Sequence, residues 1–174
     1  MTKDLRYPIG RFQAPKAYNK EELDSFIYTI ERFPGLLASE ISKIMRVTWN
    51  KPYRPEGWTI KQVVHHCADS HMNSFIRFKL ALTEENPTIK PYHEDKWAEM
   101  EDYLNVPLTH SLKILEALHF RWVVLLKSMT EEDYKRTFFH PEKKRSLSLY
   151  EATALYAWHC KHHLAHVMLV TDPE

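Results

Sequence analysis

Three glycines in 174 residues constrain this chain more than any other feature. Glycine is the residue that enters tight turns without a steric penalty. A sandwich or barrel needs many such turns, so the count favours helices joined by few connections. The helix signals agree. Asn19 with Glu22, Thr59 with Gln62 and Ser148 with Glu151 each have the spacing of a reciprocal capping box. The first predicts a helix to about Met45, which Pro34 and Gly35 should bend or break. The second opens a helix from Ile60 to about Leu82. A third long helix is expected from about Leu108 to Met129, where Leu112, Leu115, Leu118 and Trp122 recur at helical spacing. The last runs from Leu149 to about Val170. Residues 1–18 read as extended, since Pro8 and Pro15 block early helix, and Trp49 to Gly57 as a loop. A short helical piece is expected over Asp95 to Tyr103, and a hairpin or loop over residues 136–147. The expected fold is all-α: one domain over residues 1–174, an antiparallel four-helix bundle with a long excursion between its second and third helices.

Charge and apolar patterning exclude some functions. The formal net charge is +1 with no basic block, so nothing points to nucleic acid. No apolar stretch approaches the roughly 20 residues needed to cross a bilayer. The opening MTKDLRYPIGRFQAP lacks the apolar run of a signal peptide, and Cys67 and Cys160 form no CxxC pair. A cytoplasmic protein is the expectation.

Eleven histidines is the unusual count. The last helix carries WHCKHHLAHV, in which His159 and His163 lie one turn apart on one face, and so do His162 and His166. Either pair can reach a single ion, and periodicity does not choose between them. The second helix carries GWTIKQVVHHCADSHMN, where Gln62, His66, Asp69, Asn73 and Arg77 fall on one stripe. That stripe is either a solvated face or part of a polar cavity within the bundle.

A longer pattern resolves the ambiguity. W-T-x6-H on one helix followed by H-x3-H on the last resembles the DinB superfamily of metal-binding four-helix bundles. The segments PYRPEGWTIKQVVHHCADSHMNSFIRFKLALTEENPTIKPYHEDKWAE, HFRWVVLLKSM and LYAWHCKHHLAHV, with the N-terminal DLRYPIGRF, resemble its YfiT branch in particular. That branch is described in terms of metal-dependent hydrolysis and is related to bacillithiol S-transferases. The resemblance implies metal ligands at His66, His159 and His163. His166 falls where many relatives carry glutamine, which implies a place behind a ligand or facing substrate.

Three imidazoles suit zinc or nickel rather than calcium or magnesium, and leave a coordination position open. Asp69, three residues after His66, can orient an imidazole, and Asp69 or His166 can handle protons. Tyr53 and Arg54 can reach substrate from the loop before the second helix. Cys67 and Cys160 each directly follow a ligand position and should point away as buried thiols. The expected activity is metal-dependent hydrolysis of a small molecule. The alternatives are S-transfer from a low-molecular-weight thiol and a bundle that binds metal without turnover. No HExxH glutamate is present, so zinc-protease chemistry is not supported. The YfiT resemblance implies a homodimer, and the excursion adds support: it carries Ile89, Tyr92, Trp97, Met100 and Tyr103, more apolar surface than a solvated loop holds, which must cover either a partner or its own bundle, there roofing the metal site.

Overall fold

A computed structural model describes residues 4–171. Its four long helices are α1 (Lys20–Ser42), α2 (Ile60–Thr83), α5 (Thr109–Ser128) and α7 (Leu149–Thr171). Between α2 and α5 stand two single-turn helices, α3 (Glu94–Trp97) and α4 (Glu101–Asn105). Between α5 and α7 stand α6 (Glu131–Lys135) and a hairpin of β1 (Thr137–His140) and β2 (Arg145–Ser148). The hairpin pairs Thr137 with Ser148 and Phe138 with Leu147. Phe138 and Leu147 turn inward and join the core, which is why this segment is ordered structure rather than loop.

Each of α1 and α2 packs chiefly against α5 and α7, so consecutive helices α1 and α2 stand on a diagonal. The directions are mixed. α2 and α7 run antiparallel: His66 meets His159, and Ser70 meets Tyr156. α1 and α5 also run antiparallel, for Leu23 shares a groove with Leu126 while Pro34 shares one with Glu116. α2 and α5 run parallel, since His65, His71 and Phe78 meet Ser111, His119 and Trp122 in order. α1 and α7 do the same, from Glu22–Tyr150 to Glu40–Thr171. The parallel α2/α5 pair explains the excursion. A chain leaving the end of a 24-residue helix must travel back roughly 36 Å to start a parallel neighbour.

Of the three capping boxes, one is complete. Thr59 and Gln62 bond reciprocally. At Asn19 the side chain accepts from the N–H groups of Glu21 and Glu22, but the return bond runs through Tyr150 of α7. The Tyr150 hydroxyl accepts from the Asn19 N–H at 3.1 Å and donates to Glu22 at 3.0 Å. At Ser148 the hydroxyl accepts from the Glu151 N–H, while the Glu151 carboxylate pairs with Arg145 instead. A fourth box, Thr130 with Asp133, opens α6.

The N-terminal segment, expected to be extended, turns over residues 5–9, closed by bonds from Tyr7 N–H to the Asp4 carbonyl and from Gly10 N–H to the Tyr7 carbonyl. Two further expectations need correction. α1 passes through Pro34 without a break, and ends at Ser42 rather than Met45. A 3-10 turn over Arg46–Asn50 follows. The excursion also folds onto its own bundle rather than offering a free apolar surface. Ile89, Ala98 and Tyr103 are buried, and Tyr92 packs at a tilt against Trp97 with ring centroids 4.5 Å apart. Of its apolar residues named above, Met100 alone is exposed.

The polar stripe of α2 holds that excursion down. Gln62 Nε2 donates to the Ala98 carbonyl at 2.9 Å, the Tyr103 hydroxyl donates to Asp69 at 2.7 Å, and Arg77 reaches the Lys90 carbonyl. Replacing Tyr103 with Phe leaves the half-buried Asp69 carboxylate without its donor, at a cost of about 1–3 kcal/mol. We expect a lower melting temperature and faster amide exchange over residues 90–103. Unchanged exchange there would show that this bond does not hold the excursion.

Candidate metal centre

His66 sits in the second turn of α2, where the Thr59 cap fixes the helix start. His159 and His163 come from the facing turns of α7. Their imidazoles converge: ring centroids are 5.3 Å apart for His66–His159, 4.9 Å for His66–His163 and 4.3 Å for His159–His163. One nitrogen from each lies within 4.8 Å of the other two. Nε2 of His66 and Nε2 of His159 are 3.2 Å apart. Two nitrogens on a tetrahedral zinc ion, each bound at about 2.05 Å, would be roughly 3.3 Å apart. The pair therefore has the spacing of two ligands to one cation.

A second observation also fits an ion. His66 Nδ1 is buried with no hydrogen-bond partner, and the Glu94 carboxylate stands off it at 4.0 Å. If His66 donated from Nε2 to His159, its Nδ1 lone pair would face that carboxylate. With Nε2 given to a cation, the Nδ1 proton points at it instead.

His162, His163 and His166 form a second convergent group, all buried. The two groups share His163. His163 Nδ1 lies 3.3 Å from His166 Nδ1, and His166 Nε2 lies 3.3 Å from the Arg6 carbonyl. Trp158 stacks on His162 at 4.4 Å, and Tyr53 stacks on His166 at 4.0 Å. A cleft of about 280 Å³ opens here, lined by Arg6, Tyr53, Arg54, Trp58, His163 and His166 among others. Trp58 also packs against His66 at 4.8 Å, so the cleft leads to the triad.

Asp69 is not beside an imidazole. Its carboxylate takes the Tyr103 hydroxyl, so the acidic group facing His66 is Glu94, from the excursion. Sequence spacing could not find Glu94, because it lies 28 residues from its histidine and reaches it only when the excursion folds back. Cys67 and Cys160 are buried free thiols turned into the core, and burial pushes both thiol pKa values up. His65 faces away from the triad and bonds Ser111 and the Val106 carbonyl.

Two further histidines stand behind the triad. His71 of α2 and His119 of α5 are buried and bonded to each other, and His71 also meets His159. Neither falls on the stripe that contains His66, and only the packing of α5 against α2 unites them.

Burial disfavours the charged form of all these rings. It pushes His66 and His119 down to about 4, and His71, His159 and His163 well below 6.5. In the unfolded chain each titrates near 6.5. The unfolded state therefore binds more protons between about pH 4 and 6.5, and stability falls as pH drops through that window. For metal-free protein we expect stability against pH near pH 5 to slope by more than the roughly 1.4 kcal/mol per pH unit of one histidine. A slope at or below one proton, from denaturant melts, would mean that most of these rings are not buried neutral.

The DinB superfamily model matches residues 34–167. A Bacillus cereus protein named "Putative metal-dependent hydrolase" is 52% identical over 164 residues, 94% of each chain. A Bacillus thuringiensis protein of similar name matches equally well. The solved structure of YfiT from Bacillus subtilis, described as a probable metal-dependent hydrolase with an unusual four-helix bundle topology, is 44% identical. It covers 95% of this chain and 94% of its own, with a TM-score of 0.92. No helix among the described residues is long and apolar enough to cross a membrane. By fold, by convergent histidines and by sequence, this chain belongs to the DinB superfamily.

Proposed function

We propose that His66, His159 and His163 hold one divalent transition metal, zinc or nickel, and that the protein hydrolyses a small molecule at it. The observation that carries this is the 3.2 Å approach of the two Nε2 atoms from different helices, with His163 beside them. A metal held by three imidazoles supplies Lewis acidity at a position open to water or substrate. The chain's own residues do the rest. Trp58 and the excursion shield one side of the site. Arg6 and Arg54 line the cleft and suit a substrate carrying negative charge. His166, one contact behind His163 and on the cleft wall, is the residue set to move a proton. Asp69, tied to Tyr103, acts on the excursion instead.

Transfer of a low-molecular-weight thiol is the second reading. Its support is the donor set, since imidazole-bound zinc takes thiolate readily. The chain's two thiols are buried in the core and would not compete for the open position. Free thiols also suit the reducing cytoplasm in which we place the protein.

Purified protein is expected to carry about one equivalent of metal by elemental analysis. Alanine at His66, His159 or His163 should each lower occupancy, and alanine at His162 should not. Full loading of the His159 and His163 variants would sink the ligand assignment. A metal-loaded screen of esters, amides and thiol–electrophile pairs separates the activities. Cleavage without thiol dependence supports hydrolysis. Acceleration that requires a thiol supports transfer, and neither would mean a binding protein without turnover.

We also propose a homodimer. With the excursion folded inward, the support moves to α5, where Phe120 and Val124, one turn apart, are 75% and 60% exposed. Light scattering across a dilution series should give twice the 20.8 kDa chain mass. A single-chain mass at every concentration would exclude a stable dimer.

A further inference from the structure

Behind His159 two rings and a backbone carbonyl stand in line. His159 Nδ1 lies 3.0 Å from His71 Nε2, and His71 Nδ1 lies 2.7 Å from His119 Nε2. His119 Nδ1 lies 2.7 Å from the carbonyl oxygen of Ile30. The last group decides the others. A carbonyl accepts and never donates, so His119 must carry its proton on Nδ1. Its Nε2 then holds a lone pair, which can only accept from His71 Nδ1. His71 Nε2 is left as an acceptor, and the proton it receives is on His159 Nδ1. The one nitrogen of His159 left bare is Nε2, the atom that faces His66 Nε2 at 3.2 Å.

This logic holds only for neutral rings, because an imidazolium presents two donors and would break the line. His71 is 0% exposed and His119 2%, surrounded by Phe33, Trp122 and Tyr156. Such surroundings favour the neutral form.

The Ile30 carbonyl is free for a reason written in the sequence. In an α-helix it would accept from the N–H of the residue four positions on. That residue is Pro34, which has no N–H. α1 therefore offers an unused acceptor in mid-helix to a side chain of α5. The same proline costs α1 one backbone bond, and His119 replaces it.

We propose that Pro34, His119 and His71 form a positioning relay that fixes the tautomer of His159 and presents its Nε2 to the metal. None of the three is a ligand or a catalytic residue. The inference rests on the metal reading above, but its hydrogen-bond half can be measured without metal.

The test begins with full-length, metal-free protein labelled with nitrogen-15 at histidine. Long-range proton–nitrogen spectra report which ring nitrogen is protonated. His119, His71 and His159 are each expected as the Nδ1–H tautomer. An Nε2–H form at any of them overturns the relay. Zinc affinity is then measured by chelator competition. His119→Phe should weaken zinc binding by about 10–100-fold, the usual effect of losing a group that orients a ligand. Pro34→Ala serves if that variant fails to fold, because it restores an N–H to compete for the Ile30 carbonyl. Where it displaces His119, the His119 Nδ1–H proton signal should move upfield, as a weakened hydrogen bond does, and zinc binding should weaken with it, a pairing that a purely structural role would not produce. Parental zinc affinity in folded His119→Phe, or in Pro34→Ala whose His119 proton signal has moved, overturns the proposal. Parent protein with the Nδ1–H set but no zinc affinity overturns the metal-presenting role together with the ligand assignment. The spectra distinguish that outcome from a failed relay.

Discussion

A neutral imidazole inside a protein has one nitrogen that must donate and one that must accept, and this bundle buries seven such rings. Water cannot meet that demand in a packed interior, and each unmet group would cost on the order of 1–3 kcal/mol. The fold answers with backbone carbonyls that no helix uses. Ile30, released by Pro34, ends the line through His119 and His71. Arg6, in a turn of the N-terminal segment, faces His166. Val106, between α4 and α5, faces His65. Irregular or interrupted backbone thus supplies the acceptor for three of the seven rings, His65, His119 and His166, while Nδ1 of His66 and of His162 stays unpartnered.

The excursion follows from topology as well. Running α2 and α5 in parallel obliges the chain to return along the bundle, and the return path crosses the open side of α2. The α2 stripe is therefore neither a solvated face nor mainly a cavity lining. Gln62, Asp69 and Arg77 grip the returning chain, and His66 turns to α7. The grip brings Glu94 within 4.0 Å of His66, so the segment that solves a connection problem also supplies the nearest carboxylate to the centre.

Local signals carried most of the fold. Caps at Asn19, Thr59 and Ser148 located three of the long helices to within a few residues at most boundaries, and helical spacing located α5. The convergence of His66 with His159 and His163 came from a family pattern, because the i, i+4 rule fitted His162 and His166 equally well. Three things were not legible. The direction of α5 relative to α2 depends on a long connection, whose path no local rule fixes. Pro34 reads as a helix breaker until the His119 ring that compensates it is placed. His71 is five residues from His66, a spacing that puts it on a different face, and its role exists only once α5 and α7 flank it. Asp69 shows the converse. Three-residue spacing from His66 suggested a shared task, but the carboxylate points at Tyr103.

The chemical character of the partners behind the proposed ligands also matters. Outer groups that accept from a ligand's second nitrogen are often carboxylates, which raise the ligand's basicity and add negative charge near the ion. Here the partner of His159 is a neutral imidazole, and His163 meets another. Only His66 faces a carboxylate, that of Glu94, which is 4.0 Å away on a side chain 61% exposed. A divalent ion held by this set would keep most of its charge, since three neutral ligands and two neutral partners cancel none of it. Retained charge means a stronger Lewis acid and a stronger pull on anions entering the cleft. Arg6 and Arg54 on the cleft wall act in the same direction, whereas Glu56 opposes them. The buried histidine line is thus more than a way to satisfy polar atoms in a core. A carboxylate in the place of His71 could accept the same hydrogen bond from His159, but it would bring a charge into the apolar centre of the bundle and spend part of the ion's own.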